Sequence, residues 1–148
     1  MGNSVTVPQG IATRAFSGGG YPSYSNSIEA IDLTTTGNSY DFGDMSYAAY
    51  ANGAIGGTIK GLLFGGSPDG GSTLLNKIDQ IMVKNLGNAV DFGNLVTGTN
   101  YPVGLGNQTR GVYGGGYAGG YVNNIGYVTI AASGDALDFG DLTVARNA

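Results

Sequence analysis

The triplet Asp-Phe-Gly occurs three times in this chain, as Asp41-Phe42-Gly43, Asp91-Phe92-Gly93 and Asp138-Phe139-Gly140. A landmark that returns every ~50 residues marks a repeat architecture, whose units bury their apolar faces only by stacking on one another. The flanks extend the match. A turn precedes each triplet, at Gly37-Asn38, Gly87-Asn88 and Gly134-Asp135, and before it lies an apolar run at Ile28–Leu33, Ile78–Val83 and Ile125–Ile130. Earlier still a basic residue, Arg14, Lys60 or Arg110, leads into glycines. After each triplet come a polar and an aliphatic residue: Asp44-Met45, Asn94-Leu95 and Asp141-Leu142. Landmarks in the same order three times over define three units, at about residues 11–58, 59–108 and 109–148.

Each unit reads as β-structure. Glycine interrupts every potential helix, at about 1 kcal/mol each relative to alanine, and no window places apolar residues at helical spacing. Short runs between Gly- and Asn-rich turns read instead as strands. In unit one these are Thr13–Ser17, Ile28–Leu33 and Tyr40–Met45, with an irregular fourth strand expected in the small-residue connection 46–58. Apolar residues fall on both faces of the second strand, Ile28 on one and Ile31 with Leu33 on the other, which suits a sheet packed on both sides. The leader carries a short strand-like stretch at Ser4–Val7. Joined tail to head, the residues after Leu142 and those before Arg14 make one more connection of ordinary length. This predicts that residues 1–10 complete the last unit of a partner chain.

Composition narrows the function. At 148 residues the chain is one domain with a core. It has a net charge of -4 and 11% charged residues, so no basic stripe exists to neutralise phosphates, and nucleic acid is excluded as a partner. No run approaches the ~20 apolar residues of a membrane span, and the start of the chain lacks a signal-peptide pattern, so no membrane insertion is expected. Without Cys or His, disulfides, thiolate chemistry, zinc sites and Ser-His-Asp or Cys-His nucleophiles are ruled out.

Glycine doublet, Asn-x-Ile strand, Gly-Asn, an aromatic closely followed by leucine, then arginine: this order resembles the Kelch repeat of β-propellers. It is most similar to the Asp-Phe-Gly-Asp-Leu-Thr variant of bacteriophage and marine-virus virion proteins, with Leu142-Thr143-x-x-Arg146 completing the pattern in unit three. Phe42, Phe92 and Phe139 stand where Kelch has tryptophan, and the basic residue lies nearer the glycines. The resemblance implies an all-β propeller with three blades per chain. Propellers have at least four blades, so three units imply a six-bladed homodimer. The alternative is a monomeric β-trefoil or β-prism. A virion or extracellular location follows from the same resemblance.

The repeated Asp41, Asp91 and Asp138 have the oxygen chemistry for calcium. A residue present in every unit is more simply architectural, capping a turn or pairing with Arg14, Lys60 or Arg110. The triplets and these basic residues are therefore read as structural, with no metal and no cofactor. Gly114–Gly119 fits a dinucleotide fingerprint in letters only, because a strand follows it rather than a helix. No pair of carboxylates is placed for hydrolysis, so the chain is read as non-enzymatic. The loop after the glycines differs between units while its flanks repeat, and variable loops on a rigid scaffold carry binding. These loops supply Tyr21, Tyr24, Asp69, Tyr117 and Tyr121 as candidate ligand-binding residues, in a Tyr/Gly/Ser setting suited to adaptable recognition. Expected partners are a second copy of the chain and either a cell-surface glycan or other virion proteins. The expected role is a receptor-binding or structural module, with a purely architectural scaffold or a threefold lectin as alternatives.

Overall fold

The computed structural model describes residues 5–6 and 13–147, the first pair for its backbone alone. Among these residues there is no helix; the chain forms three antiparallel sheets of four strands. The first contains β1 (Val5–Thr6), β2 (Arg14–Gly18), β3 (Ser27–Asp32) and β4 (Tyr40–Asp44). The second contains β5 (Gly53–Ile55), β6 (Lys60–Phe64), β7 (Lys77–Met82) and β8 (Val90–Asn94). The third contains β9 (Val103–Gly106), β10 (Arg110–Gly114), β11 (Asn124–Thr129) and β12 (Leu137–Asp141). In each, the strands lie side by side in chain order.

The expected strands of unit one match β2, β3 and β4 to within a residue or two, and the repeat recurs in hydrogen bonding as well as in sequence. The Asp-Phe-Gly strand bulges against its neighbour at the same place each time, between Ile28 and Glu29, Ile78 and Asp79, and Ile125 and Gly126. The unpaired residue is the phenylalanine, and a bulge re-aims its side chain. The glycine that follows has φ of 147°, 153° or 141°, a backbone conformation that glycine alone adopts without cost.

The irregular fourth strand is present in the connection, but it joins the following sheet rather than its own. Consequently the sheets span 5–44, 53–94 and 103–141, not the unit boundaries read from the sequence. Small residues make this possible: a Cβ on Gly53 would overlap the Phe64 ring, and one on Gly104 would sit 2.6 Å from the Ala54 carbonyl. Residues 1–10 were expected to complete a partner's last sheet. All of that stretch but Val5–Thr6 lies outside the described residues, and those two pair with β2 of their own chain.

The sheets stack in order, with a core at each of two seams. At the first, Phe16, Ile28, Ala30, Phe42 and Met45 meet Leu63, Ile81, Val83 and Ala89. At the second, Leu62, Phe64, Ile78, Phe92 and Leu95 meet Tyr113, Val128, Ile130 and Ala136. Each large apolar side chain buried here contributes roughly 1.5–3 kcal/mol. The middle sheet is thus packed on both faces, whereas in the first sheet, where the two-faced pattern was read, Ile31 and Leu33 are exposed. Backbone bonds lock each seam: Gly87 N donates to Phe42 O (2.9 Å) and Ala89 N to Asp44 O (2.7 Å), and Gly134 N donates to Phe92 O (2.8 Å) and Ala136 N to Asn94 O (2.7 Å). The Gly-Asn turn of one unit therefore reads the Asp-Phe-Gly strand of the unit before it.

Candidate functional site

The loops after the glycines and the connections between sheets meet at one rim, where Tyr50 pairs with Ser67 and Asn100 with Tyr117 through reciprocal backbone bonds. Four tyrosines gather there. Tyr21 and Tyr24, from the β2–β3 loop, have ring centroids 6.1 Å apart. Tyr50 lies 5.5 Å from Tyr24 and 6.1 Å from Tyr21, and Tyr101 follows at 6.1 Å from Tyr50. Most of these contacts are tilted or edge-on, the geometry favoured by the ring quadrupole. Tyr21 is exposed, whereas Tyr24, Tyr50 and Tyr101 are half-buried. Tyr24 (φ 46°) and Tyr101 (φ 55°) hold left-handed backbone, uncommon for a bulky residue. Such strain persists only where the surroundings enforce it.

The β6–β7 loop closes in from the side. Gly70 and Gly71 let it approach: a Cβ on the first would stand 3.3 Å from the Tyr24 hydroxyl, and on the second 3.4 Å from the Tyr50 hydroxyl. Asp69 shapes this loop rather than offering a free carboxylate. It accepts from the Thr73 amide (2.7 Å), the Thr73 hydroxyl (2.6 Å) and the Ser67 hydroxyl (2.9 Å). The Thr73 hydroxyl and then its amide hold the Asp69 carboxyl below its usual range. The Tyr50 phenol is pushed up, first by loss of water and then by its hydrogen bond with Tyr101.

Of the residues expected to bind, Tyr21, Tyr24 and Asp69 come together, while Tyr117 and Tyr121 form a separate pair at 6.1 Å. Tyr50 and Tyr101 were missed. Both lie in the connections, which read as small-residue linkers; their signal was a tyrosine within an otherwise small and polar stretch. Beside Tyr21 runs a polar groove of about 280 Å³ lined by Ser17, Ser23, Ser25, Ser27 and Glu29.

The repeated basic residues take roles other than pairing with the repeated aspartates. Arg14 donates to the Val83 carbonyl across the first seam (3.1 Å), Lys60 lies 5.9 Å from the centroid of the Phe92 ring, and Arg110 lies 4.7 Å from that of Tyr127 and 5.9 Å from that of Phe139. Asp41, Asp91 and Asp138 are exposed. Among the described residues no group of three or more His, Cys, Asp or Glu side chains is placed to hold a metal ion. No protein-family model matches the chain, and no curated protein matches it.

Proposed function

We propose that the chain is a non-enzymatic recognition module whose tyrosine rim binds a ligand, with a neutral cell-surface sugar as the first candidate. The observation that carries this reading is the contiguous cluster Tyr21–Tyr24–Tyr50–Tyr101, held by strained backbone at a loop-bearing edge. Tyrosine faces supply apolar contact to sugar C–H groups, and their hydroxyls supply hydrogen bonds. Binding of the intact protein to a glycan array and to host cells tests the reading. Tyr21→Ala and Tyr24→Ala should each weaken a detected interaction about tenfold, the scale of a modest aromatic hot spot. Blank arrays together with blank cell binding overturn it.

The same reading makes the chain half of a six-bladed propeller, assembled as a homodimer in a phage or other viral particle. Four-stranded meanders stacked in chain order, with first strands β5 and β9 in contact, support blade-like sheets. A second reading, a purely architectural particle component, is favoured by the apolar outer face of the third sheet, where Leu105, Leu137 and Phe139 are exposed. Light scattering after size exclusion tests the dimer. A mass of one chain instead of two returns the monomeric trefoil or prism.

A further inference from the structure

We propose that the outer faces of the third and first sheets are the two halves of one seam, formed head to tail between two copies of this chain. This rests on the homodimer reading above and specifies its interface, without any exchange of strands. The seam already exists twice within the chain, so both of its sides can be recognised wherever they occur. One side is the Asp-Phe-Gly face. Phe42 and Phe92 present it at 3% and 2% exposure, but in the third sheet Phe139 is 53% exposed. Likewise Leu105 is 68% exposed where its counterpart Ile55 is 1% exposed. An apolar groove of about 270 Å³, lined by residues including Val103, Leu105, Ile125 and Leu142 with Arg146 at its side, opens on this face.

The other side is the face of the Ile-rich strand that carries its last two apolar residues at alternate positions. Ile81 with Val83, and Val128 with Ile130, present it to the preceding sheet and are buried. Their counterparts in the first sheet, Ile31 and Leu33, are exposed. The two uncovered faces are therefore the same pair that meets at both internal seams. Only a head-to-tail partner, not a face-to-same-face one, satisfies that pairing.

Register equivalence then assigns the contacts. Gly37 N of a second copy donates to Phe139 O, and Ser39 N to Asp141 O, as Gly87 and Ala89 do to Phe42 and Asp44. Arg110 reaches the Leu33 carbonyl as Arg14 reaches Val83. Thr143 meets Glu29 as Ser46 meets Asp79. Residues 143–147 occupy the polar groove beside Tyr21, with Asn147 pairing to Tyr21 as Asn100 pairs to Tyr117. Charge agrees, since Arg146 flanks one groove and Glu29 lines the other.

The chain contains no cysteine, so single cysteines test the seam directly. Thr143→Cys and Glu29→Cys chains are made separately, mixed and oxidised. Disulfide-linked pairs are expected in the mixture and not in either chain alone. As a second test, Leu105→Glu and Ile31→Lys change exposed residues on opposite faces. Each alone should run as a folded single chain by circular dichroism and light scattering, and an equal mixture should regain the mass of two. Wild-type protein with the mass of one chain overturns the dimer reading and the seam with it. A two-chain wild type overturns the seam alone if Thr143→Cys links to itself, if the mixture fails to link, or if either face variant stays paired.

Discussion

Asp79 is fully buried at the first seam, and its carboxylate accepts from the Ser46 amide at 2.6 Å and from the Ser46 hydroxyl at 2.8 Å. One side chain of the second sheet thus satisfies a backbone donor just past the Asp-Phe-Gly strand of the first. Asp79→Ala should destabilise the chain by about 1–3 kcal/mol, because the amide and hydroxyl of Ser46 lose the acceptor of these part-buried bonds. Asp79→Asn keeps an acceptor oxygen and should cost less. Urea unfolding checks both; equal losses for the two variants would show that the acceptor is not what matters.

At the second seam the same task falls to a different residue. Val96 N, the counterpart of Ser46 N, donates to the Tyr113 hydroxyl at 3.0 Å, and Gly126 stands where Asp79 would be. A Cβ on Gly126 would overlap the Tyr113 ring. Gly126→Ala should therefore cost about 1–3 kcal/mol through overpacking. Gly126→Asp combined with Tyr113→Leu rebuilds the pairing of Asp79 and Leu63. Its stability should exceed the sum of the single variants, by a coupling on the order of 0.5–3 kcal/mol in denaturant unfolding.

Alkaline pH should open the first seam. The Tyr47 hydroxyl is buried without a hydrogen-bond partner, and burial, reinforced by the charge of Asp79, raises its pKa above the ordinary 10.0. A phenol whose pKa is raised in the fold contributes stability that is whole below its unfolded value. That stability is lost as pH climbs from there through the folded value. Melting temperature should accordingly fall above about pH 10. Tyr47→Phe should retain or gain stability at neutral pH and should flatten this alkaline decline. An unchanged alkaline limb in Tyr47→Phe would assign the effect elsewhere, with Tyr113, also pushed up by burial, next in line.

The repeated glycines should differ in their tolerance of alanine. All three adopt positive φ, but a Cβ on Gly43 would also lie 2.5 Å from the Gly87 carbonyl, whereas one on Gly140 meets nothing within 4 Å. Gly43→Ala should destabilise the single chain by more than Gly140→Ala, which carries only the ~1–2 kcal/mol backbone term. If two copies meet at the proposed seam, Gly140→Ala should also shift the mass in solution toward one chain. Unfolding curves at low protein concentration and light scattering separate the two effects.

Much of this molecule was legible in its sequence because its design is periodic. Glycine spacing excluded helices, and strand positions came out within a residue or two of β2, β3 and β4. Phe42 and Phe92 are buried at the seams while Phe139 is exposed, and the basic neighbours stack on rings or reach a carbonyl instead of pairing with the aspartates. In the candidate site, Tyr21 and Tyr24 were legible as features of a variable loop. Tyr50 and Tyr101 were not, because they come from connections whose path across the rim depends on how the sheets stack.

By itself, then, the sequence determined the three repeated units, their β character and the phenylalanine landmarks, since these follow from local sterics and an alternating apolar pattern. Only the tertiary structure decided which sheet each connecting strand enters, which tyrosines share a rim, and that Tyr113 does for one seam what Asp79 does for the other. Those outcomes are set by side chains meeting across sheets, where the partner lies tens of residues away and either of two unlike side chains satisfies the same backbone donor.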